Sequence, residues 1–162
     1  MEQIDILIYK NDESDKDEKL SAAVRDYAEL AARCVSAFEI CRNQKKPYIS
    51  GFDIEFSVSH SGDIWACAFS SSPIGLDVEK IRGGKLCDIS KRFFHEKEHV
   101  WLSSCNFVEF FSVWTAKESY VKYTGEGIGA SFSKFYVADE RGLLSSVNGA
   151  YISHIPIDIN YK

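Results

Sequence analysis

At 162 residues with 45% hydrophobic side chains, the chain is long enough to bury a core and too apolar for a disordered class. A net charge of −5 argues against nucleic acid as the main partner, and no apolar run is long enough to span a bilayer. Five cysteines (Cys34, Cys41, Cys67, Cys87 and Cys105), odd in number and without C-x-x-C spacing, argue against a disulfide framework or a zinc site. Reduced thiols in a cytoplasmic protein are the expectation, and the opening residues carry no basic-then-apolar leader.

Ile4, Ile6 and Ile8 alternate with Leu7 and Tyr9, which predicts a strand at the start. Residues 11–19 are charged and read as a loop or a lead into a helix. Residues 20–41, rich in Ala, Leu and Glu without Gly or Pro, predict that helix. Ile54, Phe56 and Val58 alternate with polar neighbours, Ser61-Gly62-Asp63 marks a turn, and residues 64–69 form the return strand. Residues 74–81 alternate again, so a third strand of an antiparallel meander is expected. Beyond Gly83-Gly84 come two short helices, over 89–94 and 96–102. A longer helix spans 106–123, with Asn106 as its N-cap and Gly125 as its stop. Residues 132–137 and 146–159 read as strands. The sum is an α+β protein.

Asp77 and Glu79 stand two apart on the expected third strand, so their carboxylates share a face and repel. A bound cation would resolve that repulsion; an exposed polar edge would tolerate it. On the long helix, Phe107, Phe110, Phe111, Trp114 and Val121 form an apolar stripe, and Glu118 falls inside it. A carboxylate there is costly unless paired or bound to metal. Lys122, at i+4, offers either an ordinary helical ion pair or a cation for phosphate. Three carboxylates from a strand and a helix make a hard oxygen site suited to Mg²⁺ on a diphosphate, which points to phosphoryl-transfer chemistry.

Five sequence pieces sharpen this. Residues 111–122, Phe-Ser-Val-Trp-Thr-Ala-Lys-Glu-Ser-Tyr-Val-Lys, resemble the W-[ST]-x-K-E-[AS]-x-x-K signature of the 4'-phosphopantetheinyl transferases. Residues 74–79, Ile-Gly-Leu-Asp-Val-Glu, resemble that family's [IV]-G-[IVL]-D-[IV]-E signature. Residues 56–61, Phe-Ser-Val-Ser-His-Ser, match the strand that precedes it. Lys46-Pro47-Tyr48 and Arg92-Phe93-Phe94 are similar to two further family pieces, in the same order and spacing. The resemblance runs from about Lys46 to Lys134 and is closest to the Sfp-like class.

The resemblance implies two similar α/β lobes, with residues 1–52 a reduced N-terminal lobe and residues 53–162 the C-terminal lobe of a single domain. It implies that coenzyme A is the co-substrate and an apo acyl or peptidyl carrier protein the acceptor. It also implies that Asp77, Glu79 and Glu118 hold Mg²⁺ and that Lys122 meets the phosphate. Lys46, Pro47, Ser59 and His60 would contact coenzyme A, unless His60 only closes its strand. Lys117 would shape the site or point to solvent, and Trp114 and Phe93-Phe94 would pack. The catalytic residues would be Glu118 and Lys122, with Glu118 or a water it orients taking the serine proton. The short first lobe carries Asp12, Glu13, Asp15, Asp17 and Glu18, which would repel a nucleotide phosphate. A second reading is therefore a homologue that binds coenzyme A or a carrier protein without turnover. A monomer is the first expectation, a homo-oligomer the second.

Overall fold

The computed structural model describes residues 3–32, 37–42, 47–126 and 132–162. It is an α+β protein with antiparallel sheets and, among the described residues, four α-helices. Strand β1 (Asp5–Lys10) leads into α1 (Lys16–Leu30). A hairpin of β2 (Glu39–Arg42) and β3 (Pro47–Ser50) follows, then the hairpin of β4 (Glu55–Ser61) and β5 (Ile64–Ser70). Helices α2 (Leu86–Phe93), α3 (Glu96–Ser104) and α4 (Phe110–Thr124) come next, then a 3₁₀ turn at Phe132–Lys134. Two small hairpins follow, pairing β6 (Ala138–Asp139) with β7 (Gly142–Leu143) and β8 (Ser146–Val147) with β9 (Ala150–Tyr151).

The main sheet has the order β1-β5-β4, all antiparallel. Its alternation sorts two faces. Leu7, Tyr9, Phe56, Val58, Trp65, Cys67 and Phe69 turn to α1, whose Leu20, Ala23, Val24 and Tyr27 complete one hydrophobic cluster. Tyr27 stacks on Phe69 with ring centroids 4.6 Å apart. A second cluster joins Phe94, Leu102, Phe110, Phe111, Val113 and Val121 with Val137, Ala138 and Val147 from the C-terminal part. Each buried side chain of this size contributes about 1.5–3 kcal/mol, so both clusters are substantial.

Four sequence expectations change. The helix expected over 20–41 begins at Lys16, because the Asp15 carboxylate accepts from the backbone N–H groups of Asp17 and Glu18, and it ends at Leu30. Part of the remainder, Glu39–Arg42, is strand, because Ile40 faces Ile49 across the hairpin with β3. The helix expected from Asn106 starts at Phe110: Asn106 and Phe107 both adopt the left-handed region, at φ 53° and 59°, so Asn106 caps nothing. Residues 132–137 are a 3₁₀ turn and loop, and strand within 146–159 is confined to the β8–β9 hairpin. That hairpin turns on Asn148-Gly149, both at positive φ as a tight hairpin demands. The expected stop at Gly125 is present, at φ 70°.

Candidate active site

The fifth departure shapes the site. Residues 74–81 are extended but do not join the sheet, and their ladder is a single bridge, Lys80 to Tyr161. The segment crosses the other face of β4. There the Oγ atoms of Ser57, Ser59 and Ser61 accept from the backbone N–H groups of Leu76 (2.9 Å), Val78 (3.2 Å) and Lys80 (3.1 Å). On its far side, Glu79 N–H donates to the carbonyl of Lys162, Lys162 N–H to that of Glu79, and Ile81 N–H to that of Asn160. Serine side chains thus do the work of a neighbouring strand's backbone. Alternation in the sequence signals an extended chain, and it carries no information about which groups satisfy it.

Gly75 sets the approach to α4. A Cβ at this position would fall 1.8 Å from the Ser119 carbonyl oxygen and 2.6 Å from the Tyr123 nitrogen. Only glycine lets the segment lie against the helix backbone. Two residues further on, Asp77 therefore meets the face of α4 that carries Glu118 and Lys122.

The contacts there are specific. Lys122 Nζ lies 2.7 Å from Asp77 Oδ1 and donates also to Ser59 Oγ and to the Leu76 carbonyl, each at 3.0 Å. Ser59 Oγ donates to Asp77 Oδ1 at 2.8 Å, and Ser61 Oγ donates to Glu79 Oε2 at 2.8 Å. The i,i+4 ion pair that spacing would allow between Glu118 and Lys122 does not form, because the lysine reaches Asp77. Glu118 is 8% exposed, in the centre of the helix as its place in the apolar stripe predicts.

Electrostatically the site holds excess negative charge. Burial pushes the Asp77 carboxyl above its usual range and Glu79 adds to the rise, while Lys122 and Ser59 oppose it. Burial also raises Glu118, with Asp77 and Glu79 adding to the effect and Lys122 opposing it. Asp77 Oδ2 is buried and has no hydrogen-bond partner among the described residues. An orphaned carboxylate oxygen of this kind, among donors that are all oxygen, fits a hard cation. Among the described residues, no three His, Cys, Asp or Glu side chains stand close enough together to hold a metal as placed.

The other sequence candidates are spread around this centre. His60 is exposed on the opposite side of β4 from Ser59, paired across the strand with Trp65. Pro47 opens β3, and Lys46 lies outside the described residues. Lys117 does not point to solvent: it is fully buried on the other side of α4, with Nζ 2.8 and 2.9 Å from the two oxygens of Glu98 and 2.8 Å from the Phe135 carbonyl. Phe94 stacks on Phe110 (5.3 Å) and Trp114 packs beside both, as packing residues, whereas Phe93, also expected to pack, is exposed. Sequence reasoning gave no role to Ser57, Ser61 or Glu98. For the serines, the signal was present as a period-two series on one strand face.

The 4'-phosphopantetheinyl transferase superfamily profile matches residues 73–157, more than half of the 162-residue chain. The chain belongs to this superfamily. It is similar to the 4'-phosphopantetheinyl transferase gsp of Aneurinibacillus migulanus, 40% identical over 96 residues, which are 57% of this chain and 40% of that protein. It is similar to the 4'-phosphopantetheinyl transferase Sfp of Bacillus subtilis (strain 168), 36% identical over 120 residues, 68% of this chain and 53% of that one. A third relative, the 4'-phosphopantetheinyl transferase HetI of a Nostoc species, is 39% identical over 79 residues, 45% and 33% of the two chains. The chain thus spans about half or less of the curated relatives it matches. The matched region contains the segment with Asp77 and Glu79 and the whole of α4. No helix among the described residues is long and apolar enough to cross a membrane.

Proposed function

We propose that this chain transfers the 4'-phosphopantetheine group of coenzyme A to a serine of an apo acyl or peptidyl carrier protein, in the cytoplasm, releasing adenosine 3',5'-bisphosphate. The observation that carries the reading is the meeting of Asp77 and Lys122 across the Gly75 contact, with the orphaned Asp77 Oδ2 and buried Glu118 beside it. Asp77, Glu79 and Glu118 would hold Mg²⁺. When bound, that ion supplies positive charge to the diphosphate oxygens.

The chain's own groups have distinct roles in this reading. The carrier serine oxygen bonds to the β-phosphorus as the bond to the adenosine bisphosphate oxygen breaks. Lys122, held by Asp77, Ser59 and the Leu76 carbonyl, would meet negative charge gathering on phosphoryl oxygens. Glu118 takes the serine proton directly or through a water. His60, Lys46 and Pro47 would contact coenzyme A, within an arrangement of two similar lobes.

The test is intact-mass spectrometry of apo carrier proteins incubated with the protein, coenzyme A and Mg²⁺, with EDTA and Glu118→Gln as controls. A phosphopantetheine-sized gain that needs both the metal and Glu118 supports the reading. Full transfer by Glu118→Gln would sink the roles. Coenzyme A bound by calorimetry with no gain on any carrier would favour a binding protein instead.

A further inference from the structure

We infer that Ser57, Ser59 and Ser61 act together as a hydroxyl comb that fixes the carboxylates of residues 74–81 for a cation, and that Ser61 is the positioning residue of Glu79. The inference rests on the reading of Asp77, Glu79 and Glu118 as metal ligands.

The geometry is a register. Ser57, Ser59 and Ser61 accept from Leu76, Val78 and Lys80 in turn, so each serine serves the residue nineteen places ahead. Alternate residues of a strand repeat every ~6.6–6.8 Å along one face, and so do alternate N–H groups of an extended segment lying along it. Three such bonds in series resist a one-residue slip, which would turn the bonded N–H groups away from the hydroxyls. A shift of one residue would turn Asp77 and Glu79 away and present Val78 to the site.

The comb does more than hold backbone. A hydroxyl oxygen that accepts a bond keeps one proton to donate. Ser59 gives its proton to Asp77 Oδ1, and Ser61 gives its proton to Glu79 Oε2. One oxygen of each carboxylate is thereby tied down. On Asp77 the other oxygen is the buried, unpartnered Oδ2. The backbone of a paired strand would hold the segment equally well but would donate no hydroxyl proton to either carboxylate; Asp77 would keep only Lys122 and Glu79 would lose the Ser61 bond. Ser57 supplies the internal contrast: it accepts from Leu76 and donates to neither carboxylate.

The experiment is a Mn²⁺ titration without coenzyme A, following free Mn²⁺ by electron paramagnetic resonance, with melting temperatures recorded for each variant. Removing a hydrogen bond to a metal ligand lowers metal affinity by about 10- to 100-fold, and that loss is expected for Ser61→Ala. Ser61→Thr, which keeps the hydroxyl, should stay near wild type. Ser57→Ala should fall well short of the Ser61→Ala loss although it too removes a backbone contact. If Ser61→Ala melts too early to titrate, Ser61→Cys, close in size and a poor donor, replaces it and should show the same loss. Equal affinity in wild type and Ser61→Ala, or an equal loss in Ser57→Ala, overturns the comb while leaving the metal site standing. A wild-type protein that binds no Mn²⁺ overturns the metal reading itself, and the comb with it.

Discussion

Lys117→Met tests the physics that holds α4 in place. Lys117 Nζ lies 2.8 Å from Glu98 Oε2, and both side chains are 0% exposed. At an effective dielectric of about 20, unit charges this close attract by about 6 kcal/mol. Withdrawing each ion from water costs several kcal/mol, so the intact pair contributes little net stability over an apolar replacement. Breaking it is another matter. Glu98 would be left as a buried carboxylate whose remaining partners are the N–H groups of Val137 and His95, a loss of about 3–5 kcal/mol. Adding Glu98→Gln to the variant removes the stranded charge and keeps an acceptor for one of the two N–H groups. The double variant should therefore be more stable than Lys117→Met alone.

The sign with pH follows. Burial pushes the Glu98 carboxyl up and the Lys117 ammonium down, and their contact opposes both shifts. Without Lys117, the folded-state value of Glu98 rises further above the unfolded value of about 4.3. A raised carboxyl contributes stability below the unfolded value and loses it as pH rises through the folded one. The deficit of Lys117→Met should thus be smallest in acid and widen toward neutral pH. Urea unfolding followed by circular dichroism at several pH values measures this. A single-variant loss under about 1 kcal/mol at neutral pH, which is the range of exposed pairs, would refute the argument, as would a double variant less stable than Lys117→Met.

Three further outcomes are expected. Gly75→Ala drives a methyl group into the Ser119 carbonyl and the Tyr123 nitrogen, both helix backbone that cannot swing aside. It should cost about 1–3 kcal/mol or more and abolish Mn²⁺ binding; an unchanged melting curve would refute the close approach. A cation needs ionised carboxylates, and Asp77 and Glu118 are both raised, so Mn²⁺ affinity should climb as pH passes upward through their shifted range. The same groups should make the metal-free protein more stable at low pH, a contribution lost as pH rises through the folded values. Affinity measured between pH 5 and about 8 and found flat would remove this account.

What could be read in advance divides along physical lines. Period-two alternation placed β1, β4 and β5, and the buried position of Glu118 followed from helical geometry alone. Those features depend on which face meets apolar groups, and the sequence records that directly. The helix start at Phe110 could not be read this way: Asn106 is a good cap in isolation, but it and Phe107 are spent on a left-handed turn after α3. Residues 74–81 show the same limit more sharply. Their alternation is genuine and the segment is extended, yet its partners are three serine hydroxyls and the last residues of the chain. Pairing of that kind lies between positions nineteen and about eighty apart, and local pattern is blind to it.

Lys117 and Glu118 are adjacent in sequence and face different ways for a reason. Successive residues on a helix are about 100° apart. A residue locked on one side of α4 therefore fixes the direction of its neighbour on the other. Lys117 is bound by Glu98 and the Phe135 carbonyl, and its ammonium lies 4.1 Å from the centre of the Phe135 ring. The helix cannot roll without exposing that charge to the surrounding aromatic core. Gly75 fixes the distance of the acidic segment from the same helix, and the serines fix its register. Rotation, separation and register are three independent degrees of freedom, each held by a different device. Negative charge on Asp77 and Glu79 opposes that on Glu118, so these three devices hold the acidic segment against α4 in the face of that repulsion.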